Sequence, residues 1–160
     1  MHNYQQPVND ITGDKMIAVI TAIVSGALMS IQGVFNEGVT KQTSIWLSAA
    51  FVQLTAFVFC ASAWLLTGHE SNISALFKID NKYMLLGGVI GALITYTVIK
   101  SIGALGPGQG ILIIVTSQLL VAYLIELFGV FGVEKVGFQW QKLVGIIISI
   151  GGIILFKWDK

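Results

Sequence analysis

The chain has 160 residues, of which 55% are hydrophobic and 11% are charged, and its formal net charge is +1. A soluble domain of this size cannot bury that much apolar surface, so the composition indicates an all-α integral membrane protein. The small net charge gives no reason to expect a nucleic-acid partner. The short polar segments leave no room for a soluble catalytic domain, and we expect neither an enzyme nor a cofactor.

Five apolar segments are candidates to cross a bilayer, whose hydrocarbon core needs about 20 apolar residues per helix. The fifth is short, but Trp140 and Trp158 flank it, and Lys142 and Lys157 can extend to the headgroups. After a polar tail at 1–15, the predicted helices of a single transmembrane domain (16–160) are residues 16–35, 45–66, 83–102, 111–128 and 143–156.

The lysines are divided almost evenly between the two membrane faces. With five spans the termini lie on opposite sides, and we call side A the face of the N-terminus and side B the other. The positive-inside rule needs a larger difference to fix one orientation. Either a few residues decide the orientation, or the chain has dual topology and pairs with an inverted copy. Side A has Lys15, Lys78, Lys82, Lys135 and Lys142, and side B has Lys41, Lys100, Lys157 and Lys160.

Small residues form two stripes that allow close approach of membrane helices. Gly87 and Gly91 lie four residues apart on the third span, and Gly145, Ser149 and Gly152 form a similar stripe on the fifth. We predict that both stripes mediate helix packing, either within the bundle or between chains.

Polar side chains inside the spans are the candidate binding residues, because an unpaired polar group is costly in hydrocarbon. Gln32 and Asn36 lie four residues apart on the first span, so they share a face. Gln118 and Glu126 lie eight apart on the fourth, about 80° around the helix, and can border one cavity. We predict that Glu126 binds substrate or a proton, facing Asn36 or Lys100 of an inverted partner.

Other roles remain open for these residues. The amides can hydrogen-bond across helices as structural groups, and Glu126 can reach the interface near the end of its span. Tyr96 and Tyr123 can add cation–π contacts to a cationic substrate. The lone Cys60 is expected to be a small core residue. His2 and His69 are isolated, so no metal site is expected.

Three stretches resemble the short, five-span YdcZ-like proteins of the drug/metabolite transporter superfamily, and the likeness covers residues 17 to 156. They are "GALMSIQGVFNEGV", "LLGGVIGALITYTVIKSIGALGPGQGILIIVTSQLLVAYLIELFGVFG" and "LVGIIISIGGIIL". The family pattern usually has Gly where this chain has Ser117, and Asp where it has Glu126. The matching positions are Gln32, Asn36, Gly87, Gly88, Gly91, Gln118 and Glu126.

The resemblance implies both an architecture and a function. Longer, EamA-like relatives have ten helices in two inverted halves, so this chain corresponds to one half of a 5+5 inverted-repeat bundle. The implied function is export of a small organic metabolite or toxic compound across the inner membrane, by an antiparallel homodimer or with a paralogous five-helix partner. A non-transporting scaffold or accessory subunit is the alternative from another class, and a passive channel is a further one.

Overall fold

The computed structural model describes residues 8–68 and 73–157, and all regular structure in these ranges is helical. The five-helix membrane architecture is confirmed. Four helices contain a segment long and apolar enough to cross a membrane, and the fifth is a shorter apolar helix. The helices are α1 (Val8–Gln42), α2 (Ile45–Leu66), α3 (Gly87–Leu105), α4 (Pro107–Phe128) and α5 (Trp140–Lys157).

Two helices extend beyond their apolar segments. α1 begins at Val8, within the predicted polar tail, and ends at Gln42 rather than near residue 35. α5 begins at Trp140, so Trp140 and Lys142 lie in its first turn instead of preceding it. Hydropathy marks the edge of the hydrocarbon core, whereas a helix continues wherever its backbone bonds are kept, so the two boundaries differ. Trp158 lies outside the described residues.

The connections on side B are tighter than the apolar segments predict, because the helices run on. Thr43 and Ser44 alone join α1 to α2, and the Ser44 hydroxyl caps α2 by accepting the Leu47 N–H at 3.2 Å. Gly106 alone joins α3 to α4, with a φ of 78° that favours glycine. Pro107 is the first residue of α4. An N–H at this position would have no acceptor within the helix, so proline, which lacks one, costs no hydrogen bond here. Such short connections place consecutive helices antiparallel.

α3 lies at the centre of the bundle. It packs against α1, α2 and α4, whereas α5 packs only against α4 among the described helices. Ile99 and Ile102 of α3 are 3% and 4% exposed. A Cβ added at Gly33 of α1 would lie 2.5 Å from Ile102 Cδ1, so the glycine allows α1 to approach α3 closely.

The bundle is open and apolar on its outer surface. Its accessible surface is 12890 Å², whereas a compact soluble protein of this mass exposes about 7,800 Å². Large apolar side chains are exposed on all five helices. The chain is therefore a multi-pass membrane protein whose surface is covered by lipid or by further protein.

Candidate functional site

A groove of about 810 Å³ opens between α1 and α2 on the outer face of the bundle. Gln32 and Asn36 both line it, as their predicted shared face requires, and Ser25 and Thr55 add two hydroxyls. Asn36 is only 7% exposed, whereas Gln32 is exposed. The rest of the lining is mostly apolar and includes Phe35, so the groove combines a few neutral polar groups with a hydrophobic wall.

Cys60 lies in this groove and not in the core. The prediction of a buried core residue is wrong, since Cys60 is exposed. The buried positions of α2 are Ser48 and Ala49, one turn from its start, where the helix meets α1.

Gln32 and Thr55 lie well inside their helices, whereas Asn36 is closer to side B. Gln32 precedes the end of α1 by ten residues, and Thr55 follows the start of α2 by ten. At 1.5 Å per residue, each lies about 15 Å along its helix from the side-B end, and Gln32 lies about 5 Å from residue 35, where the apolar segment of α1 ends. Gln118 follows the start of α4 by eleven residues, which gives it a similar depth.

Gln118 lines a second groove, of about 560 Å³, between α3 and α4. Thr97, Ser101 and Ser117 supply its other polar groups. Glu126 does not line this groove, so within one chain the structure does not bring Gln118 and Glu126 to one cavity. The turn of about 80° between them directs Gln118 along α3 and Glu126 towards α5.

Glu126 forms an ion pair with Lys142, at the side-A ends of α4 and α5. Glu126 lies two residues before the end of α4 and Lys142 two residues after the start of α5, so the pair lies near the membrane surface. The sequence pattern does not predict this pair, because it indicates Lys142 only as a lysine that extends to the headgroups. The one indication in the sequence is that both residues lie on side A, Glu126 at the end of one helix and Lys142 at the start of the next.

Tyr123 fixes the connection between α4 and α5 at the same corner. It is 6% exposed, and its hydroxyl accepts the backbone N–H of Gln139 at 3.1 Å. The Lys142 Nζ lies 5.7 Å from its ring centroid. The backbone N–H of Val136 donates to the Glu126 carbonyl at 2.9 Å. The cation that faces Tyr123 is thus a lysine of the same chain, and the side chain has a clear structural role.

Tyr96 has an equivalent position at side B. Its ring stacks on Trp46 with 4.7 Å between centroids, and the Lys100 Nζ lies 5.7 Å from the Tyr96 centroid. This cluster joins α2 to α3 near the membrane surface. Asn36 and Lys100 both lie towards side B, so within one chain they are at the opposite end from Glu126.

Only one of the two glycines in the predicted packing stripe of α3 contacts another helix. A Cβ at Gly91 would lie 3.6 Å from Gln53 Nε2, and that amide donates to Thr95 Oγ1 at 3.3 Å. Gly91 therefore lies at the contact between α2 and α3. A Cβ at Gly87 would meet no atom within 4 Å.

The stripe of α5 has no partner within the described part of the chain. A Cβ at Gly145 or Gly152 would meet no atom within 4 Å. The Ser149 hydroxyl donates to the carbonyl of Gly145 in its own helix at 2.9 Å. This face of α5 is thus available to lipid or to another chain.

Metal chemistry has no visible basis in residues 8–68 and 73–157, where no group of three His, Cys, Asp or Glu side chains is placed to hold an ion. The predicted isolated histidines, His2 and His69, lie outside these ranges.

A family model described as "Putative inner membrane exporter, YdcZ" matches residues 17–155. No curated protein and no solved structure matches the chain. The match spans nearly all of the described helices, and it supports a transporter role in the inner membrane rather than an enzymatic one. The chain belongs to the YdcZ family of multi-pass inner membrane proteins.

Proposed function

We propose that the chain is a secondary transporter that exports a small organic metabolite or toxic compound, working as an antiparallel dimer by alternating access. The observation that carries this proposal is the α1–α2 groove, in which the Gln32 amide is exposed inside the apolar segment of α1. An amide facing hydrocarbon is costly, so water, a solute or a second chain must meet it. Substrate sites in inverted-repeat transporters lie between the repeats, within the membrane.

The dimer is supported by the open shape of the single chain. A two-fold axis in the membrane plane exchanges sides A and B but leaves mid-membrane residues at their depth. Gln118, halfway along α4, then lies at about the level of its copy in the other chain. The unpartnered α5 stripe around Gly145 and the nearly even lysine distribution are both compatible with such pairing. A paralogous five-helix partner in the inverse orientation would satisfy the same geometry.

The two grooves favour a solute with little charge. No charged side chain lines either groove among the described residues, and the polar groups are hydroxyls and amides. We infer that an amphipathic organic molecule binds along Gln32 and Asn36 of one wall and Gln118 of another. Glu126 lies at the side-A edge, where it can accept a proton or meet a cationic group by exchanging its Lys142 partner.

The test is solute flux in liposomes that contain only the purified chain. A panel of organic cations, neutral amphiphiles and small carboxylic acids is assayed with and without a pH gradient. We expect flux of at least one class, driven by the gradient. Gln32→Leu should lower it by about tenfold, equivalent to roughly 1.4 kcal/mol of lost binding. Gln42→Leu, at the end of the same helix and outside the groove, is the matched control.

The alternatives give different results in the same experiment. Absence of flux for every solute class, from a folded protein, would favour a scaffold or accessory subunit. Flux that follows the solute gradient alone and ignores the proton gradient would favour a passive channel.

A further inference from the structure

A third cavity, of about 280 Å³, lies at the side-B ends of α1 and α3, apart from both grooves. Its polar lining consists of Glu37, Thr40, Lys41 and Lys100. Glu37 and Lys100 each precede the end of their helix by five residues, about 7 Å along its axis. Long side chains at that level extend to the headgroup region. The cavity therefore opens where the hydrocarbon meets the lipid headgroups.

The Thr40 hydroxyl in this cavity is buried and has no hydrogen-bond partner among the described residues. A helical threonine usually donates to the carbonyl four residues earlier, as Thr97 does here at 2.9 Å. For Thr40 that carbonyl belongs to Asn36. It already accepts the Ser48 hydroxyl at 3.1 Å in addition to the helical N–H. Thr40 is left with an unused donor at the cavity wall, where neighbouring side chains cover its oxygen.

The charge that remains in the cavity is positive. The Glu37 carboxylate lies 2.8 Å from the Lys41 ammonium, so these two charges largely neutralise each other. Lys100 has no carboxylate partner within the described ranges, and its contact is with the Tyr96 ring. An ammonium and a hydroxyl without acceptors together suit an anion that presents several oxygen atoms.

We propose that this cavity binds the phosphate group of an anionic phospholipid in the side-B leaflet. Basic pockets between transmembrane helices bind such headgroups. Lys100 donates to the phosphate oxygens, and Thr40 donates to them once the long side chains that cover its oxygen move aside. The Trp46–Tyr96 stack beside them lies at the level of the interfacial aromatic belt. The cavity volume of about 280 Å³ is enough for a phosphate group. The site does not depend on whether the chain transports a solute.

Thermal unfolding of the detergent-purified full chain tests this proposal, since a ligand that binds only the folded state raises the Tm. The ligands are short-chain phosphatidylglycerol, the matching phosphatidylcholine and inorganic phosphate. We expect phosphatidylglycerol to raise the Tm clearly more than phosphatidylcholine does. Thr40→Val and Lys100→Gln should each remove most of that difference, and Lys100→Arg should keep it. Lys82→Gln, at an exposed lysine of side A, is the matched control.

Removing the charge of Glu37 tests the proposal in the opposite direction, because it should strengthen lipid binding. Glu37→Gln releases Lys41 and should increase the preference for phosphatidylglycerol. Native mass spectrometry of bound lipid gives the same comparison without relying on the Tm of a weakened variant. Equal effects of the two lipids on the wild type, or a full preference in both Thr40→Val and Lys100→Gln, would overturn the proposal. Stabilisation by inorganic phosphate and not by phosphatidylglycerol would overturn the assignment to a lipid.

Discussion

The carboxylate of Glu126 and the ammonium of Lys142 are paired within one chain, across the contact between α4 and α5. This pairing explains how an acidic side chain is tolerated near the end of an apolar helix. An inverted partner is not needed to neutralise it, so the predicted contact of Glu126 with Asn36 or Lys100 of another chain is not required for stability. A substrate or proton that binds Glu126 must instead compete with Lys142.

Glu126→Gln tests that competition. The pair is more than one-third exposed, and such pairs contribute at most about 1 kcal/mol, so folding and oligomer size should change little. If Glu126 couples transport to protons, the variant loses the pH dependence of flux in proteoliposomes. Lys142→Gln keeps the carboxylate and removes its competitor, so flux in this variant should still depend on pH, with a changed profile. If the pH dependence of flux is unchanged in Glu126→Gln, the ion pair only stabilises the contact between α4 and α5.

Gly33→Leu should destabilise the chain itself. Even a Cβ at this position would lie 2.5 Å from the buried Ile102, so a larger side chain forces α1 away from α3. Overpacking of this kind costs about 1–3 kcal/mol. The measurement is the Tm in detergent. Gly26→Leu, on the same helix with no atom within 4 Å of its Cβ, is the matched control, and an equal loss in both would contradict the α1–α3 contact.

Gly145→Leu and Gly152→Leu should act on association and not on the chain. Their Cβ positions are free within the chain, so the Tm of the monomer should be close to that of the wild type. If α5 packs against an inverted copy, the added side chains prevent the close approach and the dimer dissociates. Size-exclusion chromatography with light scattering in mild detergent measures this. A native dimer in both variants would show that the α5 stripe faces lipid.

The helices were predictable because apolar length is a strong signal, and all five apolar segments became helices. Their ends were not, because polar residues such as Thr40 and Lys41 continue the helix into the interface. The shared face of Gln32 and Asn36 followed from helical spacing, since both residues are on one helix.

Contacts between helices were harder to predict, because they depend on how the helices are rotated about their axes. Sequence spacing does not separate Gly91, which meets Gln53, from Gly145, whose Cβ position has no neighbour among the described residues. The pairing of Glu126 with Lys142 was not predicted for the same reason, since it depends on how α4 and α5 are rotated. An unused donor such as the Thr40 hydroxyl is visible only once its neighbours are placed.

Dual topology predicts labelling from both membrane faces. Asp10→Cys and Lys160→Cys, each made with Cys60→Ala because Cys60 is exposed, are treated with a membrane-impermeant maleimide on intact and on opened cells. Because the lysines are almost evenly divided, we expect a labelled fraction of each site from each side. Labelling of each site from one face alone would show a fixed orientation.

Complementation between chains of locked orientation tests the antiparallel transporter most directly. Asp80→Lys with Asn81→Lys adds two lysines to the five of side A. Gln42→Lys and Thr43→Lys, combined with Lys78→Gln, add two to the four of side B and remove one from side A. Each change lies at an exposed position and should fix one orientation. The account predicts that each variant alone exports almost none of the substrate found in liposomes, and that their co-expression restores export. Wild-type export by either locked variant alone would contradict it.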